Sequence, residues 1–178
     1  DLKPLKMFDG QQAAVLTQQG KVVADVRVLC SLNSFYLDFW EVLKENILAH
    51  LNRYLVADEV EIHDPNEQWK MLSLQGPRSP NILAELFANS ELPAQANQHG
   101  MVQFDGSPIC LVRADRTGEN GFDLIVQNSS LAPLARRLET LGASWVGARA
   151  QDILRIEAGM PRYGVDFTEE HLLLEVGL

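Results

Sequence analysis

Residues 13 to 17 (Ala-Ala-Val-Leu-Thr) and 21 to 30 (Lys-Val-Val-Ala-Asp-Val-Arg-Val-Leu-Cys) are apolar-rich runs on either side of Gln18-Gln19-Gly20. The connection is short, and its glycine can take the left-handed backbone a three-residue hairpin requires, so the two runs predict an antiparallel hairpin. Ser31 to Ser34 predicts a second turn and Phe35 to Phe39 a third short strand, which completes a meander. From Glu41 the period changes. Leu43, Ile47, Leu51, Tyr54 and Leu55 recur at three- and four-residue steps, with Lys44, Glu45, Asn52 and Arg53 on the other face, the pattern of an amphipathic helix. Val60 to His63 alternates as a strand, and Asp64-Pro65-Asn66 then punctuates the chain.

The pattern resumes with a strand from Trp69 to Leu74, the turn Gln75-Gly76-Pro77, and a helix from Ser79 to Ala88 whose stripe is Ile82, Leu83, Leu86 and Phe87. Residues 101–104 and 108–113 are expected to pair across Asp105-Gly106, a dipeptide suited to a tight hairpin turn. Phe122 to Val126 reads as a strand, Leu131 to Leu141 as a helix stopped by Gly142, Trp145-Val146 as a short completing strand, and Ala148 to Glu157 as a last helix. Each part therefore carries sheet with helices grouped on one side. This order predicts an α+β fold rather than an alternating parallel sheet, with a first unit over residues 1–66 and a second over 67–178.

Composition narrows the function classes. With 178 residues, 46% of them hydrophobic and 22% charged, the chain can bury a sizeable core. No run approaches the roughly 20 apolar residues of a membrane span, and Asp-Leu-Lys-Pro-Leu-Lys lacks the organisation of a secretory signal. A cytoplasmic protein, or an organelle matrix protein, is expected. The net charge of -9 opposes non-specific nucleic-acid binding, which needs a basic surface to displace counterions. Cys30 and Cys110 each lie in an apolar run and read as buried thiols, and the four histidines are scattered, so no metal site is expected.

Three segments place polar groups among residues that otherwise favour burial. In Gly20 to Val28, strand periodicity puts Val22, Ala24, Val26 and Val28 on one face and Val23, Asp25, Arg27 and Leu29 on the other. Asp25 and Arg27 become neighbours: either a strand-face ion pair, or a carboxylate in a cleft with its charge tuned by an arginine. Arg113-Ala114-Asp115-Arg116-Thr117-Gly118-Glu119-Asn120-Gly121 is longer than a hairpin needs, and is either a solvated turn or a ligand loop. In the third segment, Leu154 to Gly164, a helix carrying Arg155 stops at Gly159 and turns through Pro161 and Gly164, which can aim Arg162 and Tyr163 at a site.

These segments carry a family resemblance. Thr117-Gly118-Glu119-Asn120-Gly121-Phe122-Asp123-Leu124 is similar to the T-G-E-x-G-F-E-[IL] motif of the aminomethyltransferase family, and Leu154 to Gly164 resembles its L-R-x-E-A-G-x-P-x-Y-G motif. Gly20 to Val28 is similar to G-G-I-x-D-D-L-I-V, and Leu72 to Pro77 to L-x-L-Q-G-P, so nearly the whole chain resembles the glycine-cleavage T-protein/YgfZ folate-binding family. The resemblance implies two ferredoxin-like α+β units and a C-terminal barrel around a tetrahydrofolate pocket. On that reading the chain holds much of the first unit and all of the second, and stops before the barrel and before the K-G-C-Y-x-G-Q-E motif of the YgfZ branch.

The resemblance implies folate contacts for Asp25, Glu119, Arg155 and Tyr163, with Asp25 also the candidate catalytic carboxylate. The chain departs from the transferases at three places. Ala24 stands where they carry the first of two aspartates, Arg116 where T-G-Y-T-G-E has tyrosine, and Gln151 where an arginine often precedes L-R-x-E-A-G. The Gly-Lys-Val-x-Ala-Asp-x-Arg wording instead resembles the YgfZ branch, which implies a folate-binding accessory factor in iron-sulfur cluster assembly or repair, with iron-sulfur proteins as partners. The alternative is an aminomethyltransferase of the glycine cleavage system, taking a one-carbon unit from an aminomethyl-carrier protein to tetrahydrofolate. A third reading keeps the fold but binds only a protein partner.

Overall fold

A computed structural model describes residues 2, 4–55, 59–88 and 90–177. Two compact units divide the chain, Asp1–His63 with Pro161–Leu178, and Asp64–Met160. Both are α+β, built on separate antiparallel sheets.

In the first unit, β1 (Gly10–Leu16), β2 (Val22–Cys30) and β3 (Phe35–Asp38) form the expected meander in the order β1-β2-β3. Gly20 takes φ +80° at the first turn, and the register shifts between Val15 and Leu16 as the hairpin tightens. A single 3-10 turn, Glu41–Leu43, leads into α1 (Lys44–Tyr54). The helix lays Ile47 against Ala24, Val26 and Val28, with Leu43 closing one end and Leu51 packed alongside. Fully burying such an aliphatic side chain contributes roughly 1.5 to 3 kcal/mol.

The chain after α1 differs from the sequence expectation. Val60 to His63 forms no strand: all four residues are exposed, because alternation supplies only a face and a strand also needs a neighbour's hydrogen bonds. The C-terminal stretch also departs from the 67–178 grouping, since Pro161–Leu178 joins the first unit. Val22 donates its N–H to the His171 carbonyl, and Lys21 bridges to Leu172. Such a return depends on contacts far apart in sequence and leaves no local periodicity.

In the second unit, β4 (Trp69–Gln75), α2 (Ser79–Leu86), β5 (His99–Phe104), β6 (Ser107–Arg113), β7 (Gly121–Gln127) and α3 (Asn128–Thr140) follow in sequence, with strand order β4-β7-β6-β5. Asp105 and Gly106 both take positive φ, as the tight hairpin turn requires. One sheet face, including Leu74, Val102, Ile109, Leu111, Phe122, Leu124 and Val126, is covered by Ile82 and Leu83 of α2 and Leu134 and Leu138 of α3. α3 begins three residues before the expected Leu131, which leaves Pro133 inside it; the missing N–H is tolerated while Leu134 and Leu138 are buried. Trp145 and Val146 extend no sheet and remain exposed. α4 (Ala148–Glu157) matches its expected bounds, and α5 (Leu173–Val176) is a single turn in the first unit.

Candidate functional site

β2 divides its side chains as the two-residue period demands. Val22 and Ala24 have no exposed surface and Val26 and Val28 almost none, all on the core side, while Asp25 and Arg27 lie on the other face. Arg27 differs from the expected Asp25 partnership: its Nη2 donates to Asp38 Oδ2 at 2.6 Å, directly across the β2–β3 ladder. Spacing along one strand cannot reveal a partner on the next. Asp25 Oδ1 is buried and, among the described residues, has no hydrogen-bond partner. Burial raises the Asp25 pKa above its ordinary value, opposed by its own backbone N–H and reinforced by the negative charge of Asp38.

Tyr163 lies in the same unit. Its ring packs partly against the Ala24–Val26–Val28 cluster and meets Phe167 edge-on, with centroids 5.4 Å apart at 87°. Gly164, at φ +81°, donates its N–H to the Phe167 carbonyl, which closes the turn that holds the two rings. Arg162 beside it places its guanidinium 5.2 Å from the Trp40 ring centroid, while its N–H is held by Asp166 Oδ2 at 2.8 Å. The Tyr163 hydroxyl pKa is raised, first by burial, then by Glu169 and Asp25.

In the second unit the segment between β6 and β7 is fixed at almost every residue. Asp115 Oδ1 accepts the N–H groups of Thr117 and Gly118 at 3.0 and 2.7 Å. The Asn120 carbonyl accepts from Gly76 N–H and Ser79 Oγ, both at 2.8 Å, and its side-chain oxygen accepts from Arg113. Gly118 takes φ +80° and rests on Ala158, where a Cβ would lie 2.7 Å from the alanine methyl. Glu119 contrasts with its neighbours. It is exposed, and among the described residues its carboxylate has no hydrogen bond or ion pair.

Arg155 is directed inward. It is 7% exposed; its Nε donates to Asp152 Oδ1 at 2.7 Å and its Nη1 to the Met160 carbonyl at 2.9 Å. The helix stop at Gly159 is as expected: Gly159, at φ +70°, donates to the Ile156 carbonyl and Met160 to that of Arg155, satisfying carbonyls the helix end would leave open. Arg155 thus ties the end of α4 to the turn after it. The first unit holds Asp25 and Tyr163, and the second holds Glu119 and Arg155, with Gly118 and Ala158 bringing the loop against the end of α4.

Sequence reasoning missed Asp123, Ser73 and Gln75 as members of this arrangement. Asp123 has no exposed surface, accepts Ser73 Oγ at 2.7 Å, and receives Nε and Nη2 of Arg116 at 2.8 to 3.0 Å. An aspartate inside the otherwise apolar run from Phe122 to Val126 is the available signal. Such a residue must find a partner if it is buried.

Residues 1–178 match the family described as the GCVT N-terminal domain. The chain is 35% identical over 176 residues to an aminomethyltransferase from Rubrobacter xylanophilus, covering 97% of this chain and 47% of that protein. It is 33% identical over 173 residues to an aminomethyltransferase from Thermus thermophilus, covering 96% and 49%. Among solved structures, the glycine cleavage system aminomethyltransferase T from Bartonella henselae superposes with a TM-score of 0.81 at 25% identity, over 94% of this chain and 45% of that one. The chain spans about half the length of the curated relatives it matches.

Proposed function

Because this chain belongs to the glycine-cleavage T-protein family, through the GCVT N-terminal domain that it matches over residues 1–178, we propose that it is the folate-binding portion of an aminomethyltransferase. The reaction passes a one-carbon unit from the aminomethyl arm of a carrier protein to tetrahydrofolate and releases ammonia, in the cytoplasm or an organelle matrix. The observation that carries this reading is the loop from Arg113 to Gly121, which fixes its own backbone through many partners and leaves the Glu119 carboxylate exposed and unpartnered among the described residues. A pterin carries an aminopyrimidine edge with N–H donors side by side, and a carboxylate accepts such a pair with both oxygens.

Asp25 supplies a carboxyl group whose proton affinity is raised by burial, the property a proton-transferring group needs to work closer to neutral pH. Arg155 positions the turn that follows α4 through Asp152 and Met160, and Tyr163 presents its hydroxyl from a ring seated on Phe167. The relatives named aminomethyltransferase favour the enzyme over an accessory factor for iron-sulfur assembly. The side chain at position 24 points into the apolar core beside Val26, Leu43 and Ile47, so an alanine there removes nothing from the face that bears Asp25. The loss of one aspartate of the pair therefore does not argue against transfer chemistry.

The deciding experiment is a transferase assay on the natural full-length protein, with an aminomethylated lipoyl carrier and tetrahydrofolate, following ammonia release. Folate-dependent release well above the uncatalysed rate, abolished by Asp25→Asn, is the expected result. A background rate together with tight folate binding would return the protein to the accessory class.

A further inference from the structure

α4 reverses the usual polarity of a surface helix. A helix on the outside of a folded unit normally turns its apolar stripe toward the core and its charges toward water. Here the inward side is polar: Gln151 and Asp152 are half-buried, and the buried Arg155 is tied to Asp152 Oδ1 and to the Met160 carbonyl. The outward side is apolar, with Ile153 50% exposed, Leu154 40% and Ile156 58%. Arg149 and Glu157 are exposed toward its two ends, and among the described residues neither side chain forms an ion pair or hydrogen bond. Three large aliphatic side chains grouped in water on one short helix mark a contact surface, because covering them removes apolar area from solvent.

We propose that this outward face of α4 binds the same face of a second copy of the protein, the two helices running antiparallel about a two-fold axis beside Ile153. The placement of charge selects this occupant. Arg149 lies four residues before Ile153 and Glu157 four after it, so each stands about 6 Å along the helix from the centre, at opposite ends. With 3.6 residues per turn they also fall about 40° to either side of Ile153, flanking the apolar stripe. Reversing one helix against the other brings Arg149 level with the partner's Glu157, and the two-fold symmetry makes that contact twice. A parallel pairing would instead set like charges side by side. Another segment or a different protein would need the apolar face to be covered, but not a helix whose charges complement themselves. The inference does not rest on the folate reading.

The test is sedimentation velocity on the natural full-length protein in low-salt buffer, over about 1 to 100 µM. Wild type is expected to dimerise within that range. Ile153→Asp, at an exposed position, is expected to weaken dimerisation at least about tenfold while the far-ultraviolet circular dichroism stays that of wild type. Arg149→Glu and Glu157→Arg each put like charges together at both contacts, and each is expected to weaken dimerisation about fivefold or more. Mixing these two single variants is expected to rebuild the dimer as a heterodimer, because every contact between positions 149 and 157 then joins opposite charges. The effect of each charge variant shrinks in about 1 M salt. A wild-type protein that stays monomeric throughout the range would overturn the proposal and assign the face to another segment or partner. So would a dimer that Ile153→Asp leaves intact, which would lie on a different surface, or charge variants that fail to recover when mixed, which would rule out the antiparallel pairing.

Discussion

A single carboxyl group shows how far a residue's environment exceeds its sequence position. Asp25 was marked by sequence as a polar residue among valines, and its motif gave it importance, yet strand spacing suggested Arg27 as its partner. The structure gives Arg27 to Asp38 and leaves one buried Asp25 oxygen without a hydrogen bond among the described residues. That arrangement makes a signed prediction. The folded protein holds the Asp25 proton more tightly than the unfolded chain does, so stability falls as pH rises from the ordinary value of 3.8 through the raised pKa. Asp25→Asn removes the ionisation. At neutral pH the variant should therefore melt at a higher temperature than wild type while losing transferase turnover, and the difference in melting temperature should shrink as pH falls toward 3.8. A variant that is less stable at neutral pH and equally active would assign Asp25 to the scaffold.

At the scale of elements, local signals and non-local ones separate cleanly. Hairpins and amphipathic helices were legible because their causes lie within a few residues: Gly20, Asp105-Gly106, the Leu43–Ile47–Leu51 stripe and the Gly159 stop all appear where expected. The Val60–His63 strand was not formed, because a strand's remaining requirement is a partner that its own residues do not encode. The candidate loop follows the same division. Its glycines and polar residues marked it in the sequence, but the Ser73–Gln75–Asp123 anchorage came only with the register of β4 on β7, which sets Ser73 opposite Asp123. Gly118→Ala tests the loop as an element. With φ at +80° and Ala158 only 2.7 Å from the added methyl, the substitution should cost about 1 to 3 kcal/mol in denaturant unfolding, by backbone strain and crowding together. A cost below about 0.5 kcal/mol would show that the loop moves freely off the end of α4.

At the scale of the whole molecule, the α+β class and both antiparallel sheets were legible, whereas the grouping of the last residues was not. Helix and sheet order follows from periodicity, but nothing local in Pro161–Leu178 announces its return to the first unit. That return adds the Val22-to-His171 hydrogen bond, the Lys21–Leu172 bridge, and the Tyr163 and Phe167 rings. Ending the chain after Met160 should therefore speed amide exchange in β2 by an order of magnitude or more and leave β7 protected, as expected when opening is local to one unit. Equal loss of protection in β2 and β7 would mean that the two units unfold as one.

The central claim, that this chain recognises folate through Glu119, is tested most directly by calorimetric titration of tetrahydrofolate into the natural full-length protein and its Glu119→Gln variant. A hydrogen bond to a charged group contributes about 1.5 to 3 kcal/mol, so the neutral amide, which keeps size but loses the charge and one acceptor, should weaken binding by roughly tenfold or more. Because Glu119 is exposed and unpartnered among the described residues, ligand-free stability should change by less than about 0.5 kcal/mol. Unchanged affinity would contradict the account and return Glu119 to an ordinary solvated turn.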